Sequence, residues 1–429
     1  MRRVLYIAYY FPPAGGPGVQ RSLKFVRYLP AYGWLPTVVT VRPEDAAWPA
    51  LDESMSAEVP EDVDVIRTSS SDPYALYARL RGRRKDESVG VGFADEERPD
   101  FREKLARFIR ANVFLPDARV GWVRHARRAA TELAAENGFD AVVTSGPPHS
   151  SHAVGRTLRK RAGLPWLADF RDPWTEVSYY DQLPFLPWSR AVDRWMERRV
   201  LREADGLLTV SPALGVLLGR KTSTPVAVIP NGFDPEDFAP VDPLRKPGFN
   251  VVHVGTLTAG QNPEAVWSAV AAMQETPAPV GVHLVGRVDA AVSDSVDRAG
   301  ISAVVTRTPY VPHREAIAHM KGADVLLLAV PRTSDNSGIL TGKVFEYLAA
   351  GRPVLALGPV DSDVGSLLRE SGAGTMFEYG DAAGIRDFLD AQRTESPGTG
   401  GAAPGYLARY ERKALAGRLA EELNRIAGQ

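Results

Sequence analysis

The sequence predicts an α/β protein of two doubly wound, parallel-sheet, Rossmann-like domains facing across a cleft. Three observations lead there. Apolar runs of strand length alternate with helix-length segments along almost the whole chain, the pattern of parallel sheets covered by helices on both faces. At 429 residues the chain exceeds what one hydrophobic core comfortably serves, so two domains are expected. The alternation breaks in "NGFDPEDFAPVDPLRKPG", with four prolines between Pro235 and Pro247, then restarts and breaks again near the tail. These breaks set the expected boundaries: an N-terminal domain over 1–234, a linker over 235–249 and a C-terminal domain over 250–405.

The elements follow in order. "VLYIAYY" reads as the first strand and "FPPAGGPG" as a glycine-proline loop. The next helix places Val19, Leu23, Val26 and Leu29 inward and Arg21, Lys24 and Arg27 outward. Gly33 closes it, and "PTVVTV" is the second strand. The stretch from Ser69 to Asp100 is charged and glycine-containing, with "RLRGRRKDE" at its centre, and is expected to be mobile. The pattern resumes with strand "FDAVVTS", loop "GPP", a helix from His149, Gly163 and strand "PWLADF". "ADGLLTV" then runs into Ser211-Pro212, an N-cap followed by proline at the first helical position, and "PVAVIP" ends this half.

After the proline-rich stretch come strands at "FNVVHVG", "VGVHLVG", "AVVTR", "ADVLLLAV", "PVLAL" and "GTMFEY", separated by helical segments. The tail breaks the alternation. "TESPGTGGAAPG" is a loop, and Tyr406 to Ala427 reads as a helix whose stripe of Leu415, Leu419, Leu423 and Ile426 must dock on something.

Composition narrows the function classes. A formal net charge of −1 excludes a general nucleic-acid binder, which shows an overall basic footprint. With no cysteine, disulfides, thiolate metal sites and thiol nucleophiles are excluded. "DVD" at Asp62 to Asp64 and "DSD" at Asp361 to Asp363 are the only D-x-D triplets. The first lies in a strand or loop and the second at a helix start, where Asp is a common cap, so no metal is expected. The opening "MRRVLYIAYYFPP" ends its apolar run at Pro12 without a small-residue cleavage site and reads as a strand, not a signal peptide. No apolar stretch approaches the ~20 residues of a membrane helix. The cytoplasm is the expected address.

Open parallel sheets bind ligands outside the carboxyl ends of their strands, so the loops there are the ones that matter. Gly15, Gly16 and Gly18 do not fit G-x-G-x-x-G; the loop is either a flexible turn or a close backbone approach to a ligand. His149 and His152 fall in the first turn of a helix, where they either cap and pack or touch a substrate hydroxyl. Arg171 and Asp172 in "FRDPW" either pair with each other or serve a polar substrate. In "SDNSGILTGKVFEYLAAGRPVLAL", Glu346 lies off the Leu340, Val344 and Leu348 stripe and three residues after Lys343. It is either half of a helix ion pair or a carboxylate beside an anion-binding loop.

Taken together, "YYFPPAGGPGVQR", "DFRDPW", "ADGLLTVS", "VIPNGFD", "VGTL" and "KVFEYLAAGRPVLA" resemble the GT-B retaining glycosyltransferases of family 4, over nearly the whole chain and least between about residues 45 and 115. The resemblance implies that the C-terminal domain holds a nucleoside diphosphate sugar as co-substrate, with no cofactor. It implies that Glu346 bonds the ribose hydroxyls and that backbone amides at Gly338, Ile339 and Leu340 reach the sugar and phosphates. The hydroxyl acceptor (a glycan, a lipid-linked or a small molecule) is implied to bind the N-terminal domain, where Arg171, Asp172, His149 and His152 are the candidates for catalysis. The last helix, 406–429, is implied to pack back on that domain. Gly16, Gly255, Thr256 and Gln261 complete the expected donor set.

The chain departs from the family pattern at three places. The usual acid eight residues before the ribose glutamate is Gly338; the usual Arg and Lys of the diphosphate clamp fall on Thr256 and Gln261; and the usual His-Asp pair reads Arg171-Asp172. Lys343 and Arg287 are the cations nominated instead. Two rivals remain: a nucleotide-sugar epimerase of the same fold, and a degenerate nucleotide-sugar-binding protein without turnover.

One helix stands apart. "FREKLARFIRANVF", residues 101–114, puts Phe101, Leu105, Phe108 and Ile109 on one face with Arg102, Arg107 and Arg110 nearby. It is either an ordinary solvated helix or a basic amphipathic segment that lies on the inner membrane face.

Overall fold

The computed structural model describes residues 1–48, 51–71, 101–177, 180–274, 279–333, 336–394 and 400–428. Most of the stretch expected to be mobile, 72–100, lies outside the described residues. The chain divides into two compact units, one of Met1–Pro230 with Arg412–Gln429 and one of Asn231–Glu411.

The first unit is built on a seven-stranded sheet ordered β3-β2-β1-β4-β5-β6-β7. The strands are β1 (Arg2–Ala8), β2 (Trp34–Val41), β3 (Asp64–Thr68), β4 (Ala141–Gly146), β5 (Trp166–Phe170), β6 (Gly206–Thr209) and β7 (Val226–Val228). Every pairing is parallel. The second unit carries a six-stranded parallel sheet ordered β10-β9-β8-β11-β12-β13. Its strands are β8 (Phe249–Val254), β9 (Val280–Val285), β10 (Val305–Thr308), β11 (Val325–Ala329), β12 (Val354–Leu357) and β13 (Gly374–Phe377). In each sheet the order reverses once, between β1 and β4 and between β8 and β11. Loops leaving the two strands at such a reversal diverge and open a crevice at their carboxyl ends.

The doubly wound class thus holds for both halves, and the buried strands match the apolar runs. β3 is the strand that the sequence obscures. It is an edge strand carrying Asp64 and Arg67, and only Thr68 is buried in it, so it shows no apolar run.

The helix Pro17–Tyr28 corrects one expectation. Its apolar stripe of Val19, Leu23, Val26 and Leu29 is buried, but so are Arg21 (0% exposed) and Lys24 (4%). The face expected in solvent is covered: Lys24 Nζ lies 2.7 Å from Glu58 Oε2, and the helix Arg412–Ala427 packs alongside. That terminal helix buries Leu415, Leu419, Leu423 and Ile426, each worth about 1.5–3 kcal/mol when removed from water. Asn424 Oδ1 accepts from Trp34 Nε1 (3.1 Å) and Arg418 Nη2 donates to the carbonyl of Val228 (2.6 Å). The single helix expected over 406–427 is broken. A short helix, Pro404–Leu407, and a 3-10 turn, Ala408–Tyr410, precede an extended Glu411 (φ −66°, ψ 135°), and the long helix starts afresh at Arg412. Glu411 is also where the second unit ends. No helix among the described residues is long and apolar enough to cross a membrane.

Candidate functional site

In the second unit, the loops after β8 and β9 press together backbone to backbone. Gly255 sits at φ +124° and Gly286 at φ +116°, conformations that side chains rarely adopt. A Cβ on Gly286 would lie 2.6 Å from the Gly255 carbonyl oxygen, and one on Gly255 would lie 2.1 Å from Lys343 Nζ. The loops are zipped by Leu257 N–H to the carbonyl of Arg287 (2.9 Å) and Asp289 N–H to the carbonyl of Leu257 (3.0 Å). Glycine at 255 is therefore required twice, for its backbone angle and for the room it gives Lys343.

Lys343 and Glu346 stand in the first two turns of the helix Gly342–Ala350. They do not form the helix ion pair that their spacing allows. Lys343 runs under Gly255, and Glu346 Oε1 lies 3.0 Å from Nε2 of His313. Burial lowers the Lys343 ammonium from 10.5 to about 8, against the opposing pull of Glu346. His253, at the end of β8, is lowered to about 3 by burial and then by the Lys343 charge, so it stays neutral there. His313, the first residue of the helix His313–Gly322, is a neighbour of Glu346 that the sequence does not single out, because a lone histidine after a proline carries no signal.

The helix Gly342–Ala350 begins without help. Thr341 makes no side-chain cap, no acid lies in the first turn, and Thr341 Oγ1 is buried without a partner among the described residues. Val344 N–H reaches the carbonyl of Thr341 (3.3 Å), while the amides of Gly342 and Lys343 before it have no intrahelical acceptor and carry the positive end of the helix dipole. Just before it, Ile339 N–H donates to the carbonyl of Asn336 (3.2 Å), whose Nδ2 donates to Tyr379 Oη (2.7 Å). Gly338, Ile339 and Leu340 therefore sit in a tied turn at the carboxyl end of β11.

The remaining expected donor residues divide. Arg287 and Thr256 are exposed on the paired loops. The Gln261 side chain is engaged within the chain: its Nε2 donates to the carbonyl of Ala329 (2.9 Å), and its Oε1 accepts from Thr258 N–H (3.3 Å) and Oγ1 (3.1 Å) in a capping box. It holds the loop in place.

In the first unit, the loops after β1, β4 and β5 converge. A Cβ on Gly18 would lie 1.7 Å from Arg171 Nη1, so that glycine makes room for the guanidinium. Arg171 Nη2 donates to the carbonyl of Pro147, and its backbone N–H to that of Gly146 (3.0 Å). Gly16, at φ +108°, opens the helix Pro17–Tyr28 and has space around it. Arg171 does not pair with Asp172, which is exposed. The buried partner in "DFRDPW" is Asp169. It takes a two-pronged bond from Arg21, Nε to Oδ2 at 3.0 Å and Nη2 to Oδ1 at 2.9 Å, with both residues fully enclosed. Arg21 Nη1 also donates to the carbonyls of Ile229 (2.7 Å) and Pro230 (3.1 Å).

The two histidines differ in access. His152 is fully buried, stacked 4.6 Å from Phe170. Trp166 Nε1 donates to Thr144 Oγ1 (2.8 Å), and the same hydroxyl is hydrogen-bonded to His152 Nδ1 (2.8 Å). Burial, and then the nearby Arg171 charge, lower His152 to about 3. His149 stacks on Trp174 at 4.8 Å and is partly accessible. Burial, then His152 and Arg171, hold it well below the usual histidine value. Both rings are neutral at pH 7. Among the described residues no three acidic or histidine side chains converge as metal ligands.

Residues 15–232 match the model of the glycosyl transferase 4-like domain. The chain belongs to that family and is a glycosyltransferase of the GT-B type. Solved structures agree on the fold. Sucrose-phosphate synthase from Thermosynechococcus elongatus superposes with a TM-score of 0.67 at 17% identity, covering 100% of both chains. HepE from Anabaena, solved with UDP and glucose, gives 0.61 at 15% identity over 99% of this chain and 100% of its own. A glycosyltransferase from Rickettsia africae gives 0.60 at 11% identity over 99% and 98%. No curated protein matches the sequence.

Proposed function

We propose that the chain transfers a sugar from a nucleoside diphosphate to a hydroxyl, with retention of anomeric configuration and without a metal ion. The observation that carries this reading is Lys343, a cation kept in a desolvated position under a glycine loop and at an uncapped helix start. An ammonium held there at a cost to the ligand-free protein matches a diphosphate, whose charge grows as it leaves. The first-turn amides of Gly342–Ala350 add donors without a metal, and exposed Arg287 adds a second cation. Glu346, oriented by His313, accepts the two ribose hydroxyl bonds; a carboxylate takes a vicinal diol well. The UDP-bound HepE structure is in keeping with such a donor.

In the reaction, the bond from the anomeric carbon to the leaving phosphate oxygen breaks and a bond to the acceptor oxygen forms on the same face. The acceptor proton passes to the departing phosphate. Arg171, fixed by Gly18 and the Pro147 carbonyl, presents its charge in the first unit, and exposed Asp172 and partly accessible His149 are the groups that meet the acceptor. His152, wholly enclosed, positions the end of β4 through Thr144.

The test is incubation with a panel of nucleoside diphosphate sugars, each with and without a panel of hydroxyl acceptors, followed by NMR of the product. A new glycoside with the donor's anomeric configuration supports the reading. A new nucleotide sugar formed without acceptor would instead identify an epimerase. Binding with neither product would identify a protein that holds the donor without turning it over.

A further inference from the structure

The helix Pro187–Glu203 shows water a face unlike the rest of the first unit. Trp188, Val192 and Trp195, spaced four and three residues apart, are 55%, 40% and 55% exposed. Such spacing aligns them on one stripe. The acids of this helix all turn away from that stripe or are already engaged. Asp193 is buried, accepting from Trp174 Nε1 (2.8 Å) and Tyr180 Oη (2.8 Å). Glu197 is buried 2.7 Å from Lys221 Nζ. Glu203 takes Arg156, Arg199 and Lys160. What borders the stripe is cationic: Arg198 and Arg202 are exposed and form no ion pair among the described residues.

A second helix extends the patch. Asn112, in the helix Phe101–Val113, ties the two together: its Oδ1 accepts from Leu186 N–H (2.7 Å) and its Nδ2 donates to the carbonyl of Pro184 (2.9 Å). Around Asn112 that helix exposes Phe108, Ile109 and Val113 (64%), and no acid occurs between 107 and 113. Beyond the far end of the stripe, Arg202 borders a polar depression of about 450 Å³ lined also by Arg220, Lys221, Thr222 and Ser223.

We propose that this two-helix face docks on an anionic phospholipid bilayer. Exposed tryptophans on an apolar stripe suit the headgroup boundary, where one side of the ring is apolar and the other wet. Arginines flanking the stripe, with every acid of the helix turned inward or already paired, complement an anionic surface and would repel a basic one. The depression beside Arg202 suits a headgroup phosphate. The proposal does not depend on which donor or acceptor the enzyme uses.

The experiment is co-sedimentation of the full chain, without nucleotide sugar, with vesicles of phosphatidylcholine alone and of phosphatidylcholine mixed with phosphatidylglycerol. Binding to the mixed vesicles at low salt, weakened by added salt, is expected, with little on phosphatidylcholine alone. Arg198→Ala with Arg202→Ala should weaken binding about 30-fold, from ~1 kcal/mol for each cation near an anionic surface. Trp188→Ser with Trp195→Ser should abolish it, while both variants keep the circular dichroism and melting temperature of the parent, since all four side chains are at the surface. Equal binding to both vesicle types, no binding at all, or binding that both variants retain would overturn the proposal. So would a concentration-dependent dimer that the tryptophan variant abolishes, because the face would then belong to a second copy of the chain.

Discussion

Replacing Lys343 by Met separates a functional cation from a structural one, because the two roles give opposite signs. Burial lowers the ammonium from 10.5 to about 8. At pH 7 both folded and unfolded chains carry the charge. The folded one carries it at a cost of about 3 kcal/mol, from ~1.36 kcal/mol for each pH unit by which the pKa falls. Methionine keeps the length and apolar stem of the side chain and removes the charge. The value of about 8 already includes the attraction of Glu346, so the variant is expected to gain up to about 3 kcal/mol of stability at pH 7. The advantage of the variant fades with pH in a defined window. Between about 8 and 10.5 the folded protein releases this proton while the unfolded chain still holds it, so wild-type stability rises with pH there relative to the variant. Below 8 the full penalty stands. Urea denaturation at pH 7 and at pH 9.5 measures both effects, and calorimetry with a nucleoside diphosphate measures what the charge is kept for. A variant that is less stable than wild type at pH 7 and binds the nucleotide equally well would make Lys343 a structural cation and end its role in donor binding.

Three other outcomes follow from the same geometry. Glu346→Ala should weaken nucleotide-sugar binding by about 1.5–3 kcal/mol, the range for hydrogen bonds to a charged group, and calorimetry showing unchanged affinity would remove Glu346 from the site. Gly255→Ala forces a Cβ to within 2.3 Å of Lys343 Cε at φ +124°; it should cost about 1–3 kcal/mol of stability through backbone strain and weaken nucleotide binding by displacing Lys343, both readable by thermal shift with and without nucleotide. Arg21→Met leaves Asp169 charged and enclosed, which should destabilise the first unit by about 3–5 kcal/mol, and adding Asp169→Leu should restore most of it in urea titrations.

Much of the fold can be read from the chain because buried parallel strands announce themselves. "VLYIA" and "VLLLA" are continuous apolar runs covered on both faces, and the helices between them keep their apolar stripes inward. β3 escapes for the converse reason: an edge strand with one buried residue has no such run. The helix Pro17–Tyr28 misleads because its own periodicity assigns Arg21 and Lys24 to solvent, while their partners Asp169 and Glu58 lie 148 and 34 positions away. Helical periodicity reports only one element's own faces, so a second covering layer is invisible to it.

The site is legible in part. Glu346 and Lys343 stand out as charges in an apolar helix after a polar loop, yet their three-residue spacing suggests a mutual pair, whereas the structure gives each a different neighbour. His313 cannot be found from its surroundings in sequence, because it lies 33 positions from Glu346. Gly18 is legible as part of a glycine loop, but the reason for it, the guanidinium of Arg171, comes from the end of β5. Gln261 shows what a family pattern leaves out: its position points to phosphate, and its amide is also bonded to Thr258 and Ala329.

A crystal structure of the full chain, with the nucleoside diphosphate that stabilises it most in a thermal-shift panel, would decide whether Lys343 and Glu346 hold the donor. The diphosphate is expected within hydrogen-bonding distance of Lys343 Nζ and the first-turn amides of Gly342–Ala350, with the ribose hydroxyls on the Glu346 carboxylate. A nucleotide bound away from these residues, with Lys343 still under Gly255 and making no contact to it, would contradict this assignment.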